Sequence, residues 1–127
     1  MLDVSQIVFG ERPGAELFSD IAERAAKSVS ESNRDRNKAS QLRRFYDELV
    51  MWQEKVGKDD TRFTEAEPYI RMLKAKVAYA KGRGHVDDNF ELLMRRVVDQ
   101  ATNAAKLRQA KLFMEAFMAF YKVHGPK

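Results

Sequence analysis

Five cations stand close together in the middle of this chain: Arg71, Lys74, Lys76, Lys81 and Arg83, with no Asp or Glu between Arg71 and His85. Like charges spaced along one helix repel one another and forgo the acid–base pairs that steady an exposed helix. Folding alone gives no reason for such a run; a polyanion that neutralises it does. The chemistry implied is contact with a phosphate backbone. On a helical projection at about 100° per residue, Tyr69, Ile70, Leu73, Val77 and Ala80 form the buried arc. Arg71, Lys74 and Lys81 fall on one flank of that arc and Lys76 and Arg83 on the other, while Ala75, Ala78 and Gly82 lie opposite. A strip of small residues flanked by ammonium groups lets a backbone come close. The plainer account is that alanine favours helix and lysine solubilises, but mixed charge solubilises better than unpaired positive charge.

Arg43 and Arg44 form a second basic element upstream. Their duller option is pairing with Asp47 and Glu48 one turn on, in the poorer cation-before-acid orientation, which is worth about 0.3–0.5 kcal/mol. Lys38 lies one turn before that pair. Arg95, Arg96, Lys106, Arg108 and Lys111 are further basic residues, of a kind that any amphipathic helix carries. Phe45, Tyr46, Phe90, Phe113, Phe117 and Phe120 sit at core spacing; only Tyr79, off the core arc, is placed to reach a nucleotide. Backbone contact without sequence preference is the mode that remains.

Catalytic chemistry has little to work with. His85 follows a helix-ending Gly-Arg-Gly, His124 lies near the C-terminus, and neither has an acid or another His at metal-ligand spacing on a shared helix face. Gly82-Arg83-Gly84 is too short for a phosphate loop and closes a helix instead of opening one. The adjacent acids Asp47-Glu48 point apart on a helix, and Asp59-Asp60 and Asp87-Asp88 stand at expected caps. Neither a metal nor a cofactor is expected.

The elements that must position the basic residues are helical nearly throughout, because apolar residues recur at helical spacing and strand-like alternation is nowhere sustained. Residues 1–14, punctuated by Gly10, Pro13 and Gly14, read as a loose, flexible arm. A first helix is expected over about 15–29 and a polar, mobile linker over Ser28–Asn37. A second helix over about 38–56 ends at Gly57. Thr64 and Glu67 make a capping-box pattern with Pro68 in the first turn of a third helix, which Gly82 and Gly84 end near Arg83. Asp88 and Glu91 repeat the pattern for a fourth. Thr102-Asn103 is a candidate break before a last helix carrying Leu107, Phe113, Phe117 and Tyr121, and the fourth and fifth helices are alternatively one long bent helix. The last helix is apolar over a wide arc and is expected at the bundle's centre. The expected fold is all-α, a compact bundle of four to five helices in one domain over residues 15–124.

At 127 residues one domain suffices, and the absence of cysteine removes disulfides and thiolate metal sites, which suits a reducing cytoplasm. No apolar run is long enough for a membrane span and no secretion signal is visible. Charge alternates in blocks: five basic residues against one acid from Arg34 to Arg44, then seven acids against three bases from Phe45 to Glu67. Such alternation fits a protein with one surface facing a polyanion.

Three blocks taken together resemble a known family. They are Ser40-Gln41-Leu42-Arg43-Arg44-Phe45-Tyr46-Asp47-Glu48-Leu49, the run from Lys74 to Arg83, and Phe113-Met114-Glu115-Ala116-Phe117-Met118-Ala119-Phe120-Tyr121-Lys122. In this order they resemble the small all-helical subunit of type III-A CRISPR interference complexes, the Csm effector, over roughly Ala39 to Lys122. The resemblance implies a non-catalytic cytoplasmic subunit of an antiviral complex. It would stack with its own copies into an inner filament beside other Csm subunits, with a positive face along the backbone of guide RNA and target RNA. Lys38, Arg43, Arg44, Arg71, Lys74, Lys76, Lys81 and Arg83 are the residues expected on RNA. Two rivals remain: a helical adaptor whose basic residues meet an acidic protein, and a regulator with a helix in the DNA major groove, for which no readable recognition helix is evident.

Overall fold

A computed structural model describes residues 2–33 and 35–125. Among them a π-helical turn, Leu17–Ile21, leads into α1 (Ala22–Ser32), followed by α2 (Ala39–Val56), α3 (Asp60–Arg71), α4 (Leu73–Gly82), α5 (Asp88–Gln100) and α6 (Ala104–His124). The fold is an all-α bundle, as expected. α3 and α4 are nearly one rod: Met72 N donates to Pro68 O at 3.1 Å and Lys76 N to Met72 O at 3.1 Å. Counted so, the bundle has five rods among the described residues.

Short polar side chains set the helix starts. Asp59 Oδ1 accepts from Thr61 N at 2.8 Å and Arg62 N at 3.3 Å, so α3 begins one turn before the Thr64–Glu67 pattern would place it. Pro68 therefore lies inside α3, not in its first turn. Having no N–H, it cannot close a bond to Thr64 O, and the helix loosens just beyond it, at Met72. Asp87, one residue before the expected cap, accepts from Phe90 N at 3.1 Å to start α5. Asn103 accepts from Lys106 N at 2.8 Å to start α6, which settles the open alternative: α5 and α6 are separate helices. Gly84, at φ +78, lets His85 N reach back to Ala80 O at 3.0 Å and ends α4.

α6 packs against α1, α2, α3, α5 and the π turn, the central place expected of its wide apolar arc. Its Phe117 meets Phe90 of α5, with ring centres 6.4 Å apart, and Tyr121 at 5.6 Å; Phe90 in turn meets Phe45 of α2 at 5.7 Å. Each such ring contributes about 1.5–3 kcal/mol through burial.

Two segments differ from their sequence-based description. Residues 2–14 have no helix but are packed rather than loose. Leu2, Ile7 and Phe9 are buried, and Phe9 faces Phe113 at 6.1 Å. Arg96 Nε donates to Ile7 O at 2.9 Å, Gln109 Nε2 to Gly10 O at 2.7 Å, and Leu2 N to Asn89 Oδ1 at 2.9 Å. Most of the expected linker is also ordered: α1 continues to Ser32, and Asn37 is fully buried. Met1 of the expected arm and Arg34 of the expected linker lie outside the described residues. Asn37 stands in the left-handed region at φ 61, an unusual place that its short polar side chain tolerates. Its N–H donates to His85 O at 3.0 Å, its Oδ1 accepts from Asp87 N at 3.0 Å, and its carbonyl accepts the Tyr121 hydroxyl. This one residue therefore ties the α1–α2 connection to the start of α5 and to α6. It also orients the segment from which Lys38 and α2 start.

Candidate nucleic-acid interface

The five cations of the basic run are far less isolated in space than in sequence. Lys74 Nζ lies 2.6 Å from Asp99 Oδ1, and Arg71 contacts Glu67 at 2.9 Å and Asp99 at 3.8 Å. Lys81 bridges Glu91 at 2.7 Å and Asp88 at 3.1 Å. Hydrogen bonding to Glu91 and then Asp88 holds the Lys81 ammonium above the ordinary lysine pKa. Lys76 reaches across to Glu48 of α2 at 3.0 Å. Folding does, then, give a reason for much of the run, contrary to its appearance in sequence. The acids that balance it come from α2, α3 and α5, and the lysines help seat α4 between α2 and α5. The two flanks seen on the projection are these two seams: Arg71, Lys74 and Lys81 face α5, and Lys76 faces α2.

Arg83 is different. It has no carboxylate partner among the described residues; its guanidinium donates to the Tyr79 hydroxyl at 3.2 Å and lies 5.9 Å from that ring's centre. Tyr79 is 67% exposed, as its position off the core arc predicts. Arg44 likewise has no ion pair among the described residues and is exposed. Arg44, Lys76, Tyr79, Arg83 and His85 line one open groove of about 450 Å³ between α2 and α4, with Gln41 and Glu48 beside them. Three of the eight expected RNA-contacting residues thus share a groove.

The remaining five lie elsewhere. Arg43, one residue from Arg44 and so turned about 100° around α2, lines a different groove with Tyr46, Glu115 and Lys122, against α6. It comes no closer to Asp47 than 4.0 Å. Lys38 stands exposed at the start of α2, where its carbonyl accepts from Gln41 N at 2.8 Å. Arg71, Lys74 and Lys81 occupy the α5 seam. Ala75 and Gly82 of the small-residue strip are exposed and Ala78 is half-buried.

Tyr69 does not join the buried arc. It is 56% exposed and stacks on half-buried Trp52 of α2, ring centres 5.7 Å apart and planes 11° from parallel. Lys55 Nζ lies 5.3 Å from the centre of the Trp52 ring. The sequence offers a faint signal for this pair: Tyr69 adjoins Ile70 at the edge of the apolar arc, and edge residues go to whichever side the next helix leaves open.

The family model Csm2 Type III-A matches residues 13–127, nearly the whole chain. The chain belongs to the Csm2 Type III-A family. It is a small Csm subunit of the type III-A CRISPR complex and associates with other subunits of that complex. The match extends beyond the Ala39–Lys122 span of the sequence resemblance to include α1. No curated protein and no solved structure matches the chain significantly. Among the described residues no cluster of side chains could hold a metal ion, and no helix is long and apolar enough to cross a membrane.

Proposed function

We propose that this Csm2-family subunit is a non-catalytic RNA-backbone binder that stacks into the inner filament of the cytoplasmic type III-A complex in antiviral defence. Its principal contact surface is the α2–α4 groove. One observation carries the reading: Arg44, Lys76 and Arg83 come from two helices to a single open groove, and two of the three have no acid to satisfy among the described residues. Unpaired guanidinium groups are suited to bidentate phosphate contact. Lys38 and Arg43 extend the positive surface along α2. Arg71, Lys74 and Lys81 contribute less, since each must leave a carboxylate before it meets a phosphate.

The groups that carry the reading are the Arg44 and Arg83 guanidinium groups and the Lys76 ammonium, which meet phosphates and not base edges, so guide RNA and target RNA are held by their backbones whatever their sequence. A single subunit makes few contacts and binds weakly; stacked copies supply effective concentration. The test is fluorescence anisotropy of unrelated labelled RNAs against the full chain across a salt series, with duplex DNA of defined sequences alongside. Similar affinities for all RNAs, falling with salt by about 0.7 log unit per log unit for each single-strand phosphate contact, support the reading. Preference for one DNA sequence overturns it. Salt-sensitive binding to an acidic Csm subunit with none to RNA overturns it in favour of an adaptor.

A further inference from the structure

The Trp52–Tyr69 stack is an unusual thing to leave in water. Aromatic rings bury large areas when a fold offers the chance, and five phenylalanines of this chain do so: Phe9, Phe45, Phe90, Phe113 and Phe117 are all in the core. Tyr69 instead keeps more than half its surface open and spends one face on Trp52. The residues around the pair are Lys55, Arg62, Val56 and Glu65. Among the described residues Arg62 is held only by a 3.7 Å approach to Asp59, and Lys55 only by the face of Trp52. Parallel rings with a free face, edged by two loosely held cations, have the composition of a platform for an unpaired base: the ring takes the base and the cations take its phosphates.

The platform continues the α2–α4 groove. Glu48 of α2 meets Lys76, and Trp52, one turn further along α2, meets Tyr69, two turns back along the α3–α4 rod. The groove and the ring pair are therefore separated by roughly 6–10 Å along the two helices, at 1.5 Å per residue. A strand whose phosphates lie on Arg44, Lys76 and Arg83 passes the rings within a few nucleotides. Met72, half exposed three residues after Tyr69, lies between them on the rod and offers a soft apolar surface under the strand.

Resting on the reading that the groove binds RNA backbone, we infer that Tyr69, backed by Trp52, stacks an unpaired RNA base, so that this face prefers single-stranded over fully paired RNA. Stacking is indifferent to base identity because every base has a π-face, so the preference adds no sequence specificity. The aromatic platform also revises the expectation that Tyr79 alone is placed to meet a nucleotide.

Trp52 is the only tryptophan in the chain, which makes its emission a reporter confined to this site. The full-length protein is titrated with a short uridine-rich single strand and with a blunt, fully paired RNA duplex, reading Trp52 emission and, in parallel, anisotropy of the same RNAs carrying a label. The single strand is expected to quench Trp52 with the same midpoint as the anisotropy change, while the duplex binds without quenching. Tyr69→Ala should weaken single-strand binding about tenfold, the lower part of the range for one stacked base, and leave duplex binding unchanged; Tyr69→Phe should bind as wild type. If the single strand binds by anisotropy but leaves Trp52 emission unaltered, and Tyr69→Ala binds as wild type, the inference fails and the groove reading survives. If no RNA changes the anisotropy, both fail. If Tyr69→Ala instead loses only its association with other Csm subunits, the face belongs to a protein and the inference is overturned.

Discussion

Replacing Asn37 by alanine tests the most economical tie in the fold. The side chain is fully buried, and its Oδ1 accepts from the backbone N–H of Asp87, the residue that caps α5. Removing that acceptor leaves a buried N–H without a partner, at a cost of about 1–3 kcal/mol. Alanine must also adopt φ 61, which asparagine tolerates and a residue with an apolar Cβ does not, adding about 1 kcal/mol. The sum is about 2–4 kcal/mol. For a domain of this size that lowers the melting temperature by roughly 6–20 °C, between the shifts expected for smaller and larger domains. Asn37→Gly loses the same hydrogen bond but not the backbone ease, so it should sit above Asn37→Ala and below wild type. Urea unfolding followed by circular dichroism at 222 nm gives both differences. An Asn37→Ala midpoint within error of wild type would refute the claim that this residue closes the α1–α2 connection onto α5 and α6. A glycine variant no more stable than the alanine one would refute the backbone part of the argument.

Other consequences are read in the same way. Burial, reinforced by nearby Asp87, pushes the Tyr121 hydroxyl up to about 12, above the ordinary value of 10.0. The folded state therefore favours the neutral phenol, and the stability this contributes is present below pH 10 and is lost as pH rises from about 10 to 12. Tyr121→Phe should be less stable than wild type at neutral pH, and this part of the alkaline loss should be missing from its pH titration of unfolding. Phe9→Ala should cost about 3–5 kcal/mol in urea unfolding, as for any buried ring; a loss below 1 kcal/mol would return the N-terminal segment to the status of a loose arm. Lys74→Ala/Lys81→Ala should weaken RNA binding less than Arg44→Ala/Arg83→Ala, because the first pair is already engaged with Asp99, Asp88 and Glu91.

The helices were legible wherever one face had to be apolar. α2, with Leu42, Phe45, Leu49 and Val56 buried, ends at Gly57 where its periodicity stops, and Asn103 divides α5 from α6 at the polar interruption. Helix starts were displaced where the capping side chain lay ahead of the recognisable pattern. Asp59 and Asp87 each precede another acid, and either member of such a pair can cap. The packing of residues 2–14 was hidden because Leu2, Ile7 and Phe9 follow no period; irregular chain buries its apolar residues one at a time. Of the interface, the basic helix and its two flanks were visible, since a helical projection needs only one element. Which cations stay free was not visible, because Glu48, Asp99 and Glu91 belong to other helices and only the tertiary arrangement pairs them. Tyr69 was misplaced for a related reason: it stands beside Ile70 at the edge of the rod's buried stripe, and its side was decided by Trp52 of another helix.

The most direct test of the account is the salt dependence of RNA binding by wild type beside Arg44→Ala/Lys76→Ala/Arg83→Ala, with both proteins confirmed folded. Removing the partners of three phosphates on a single strand should flatten the slope of log affinity against log salt by about 2. That result, with a large loss of affinity at low salt, is what the α2–α4 groove predicts. An unchanged slope in the triple variant, with RNA still bound, would contradict it and place the RNA on another face of the bundle.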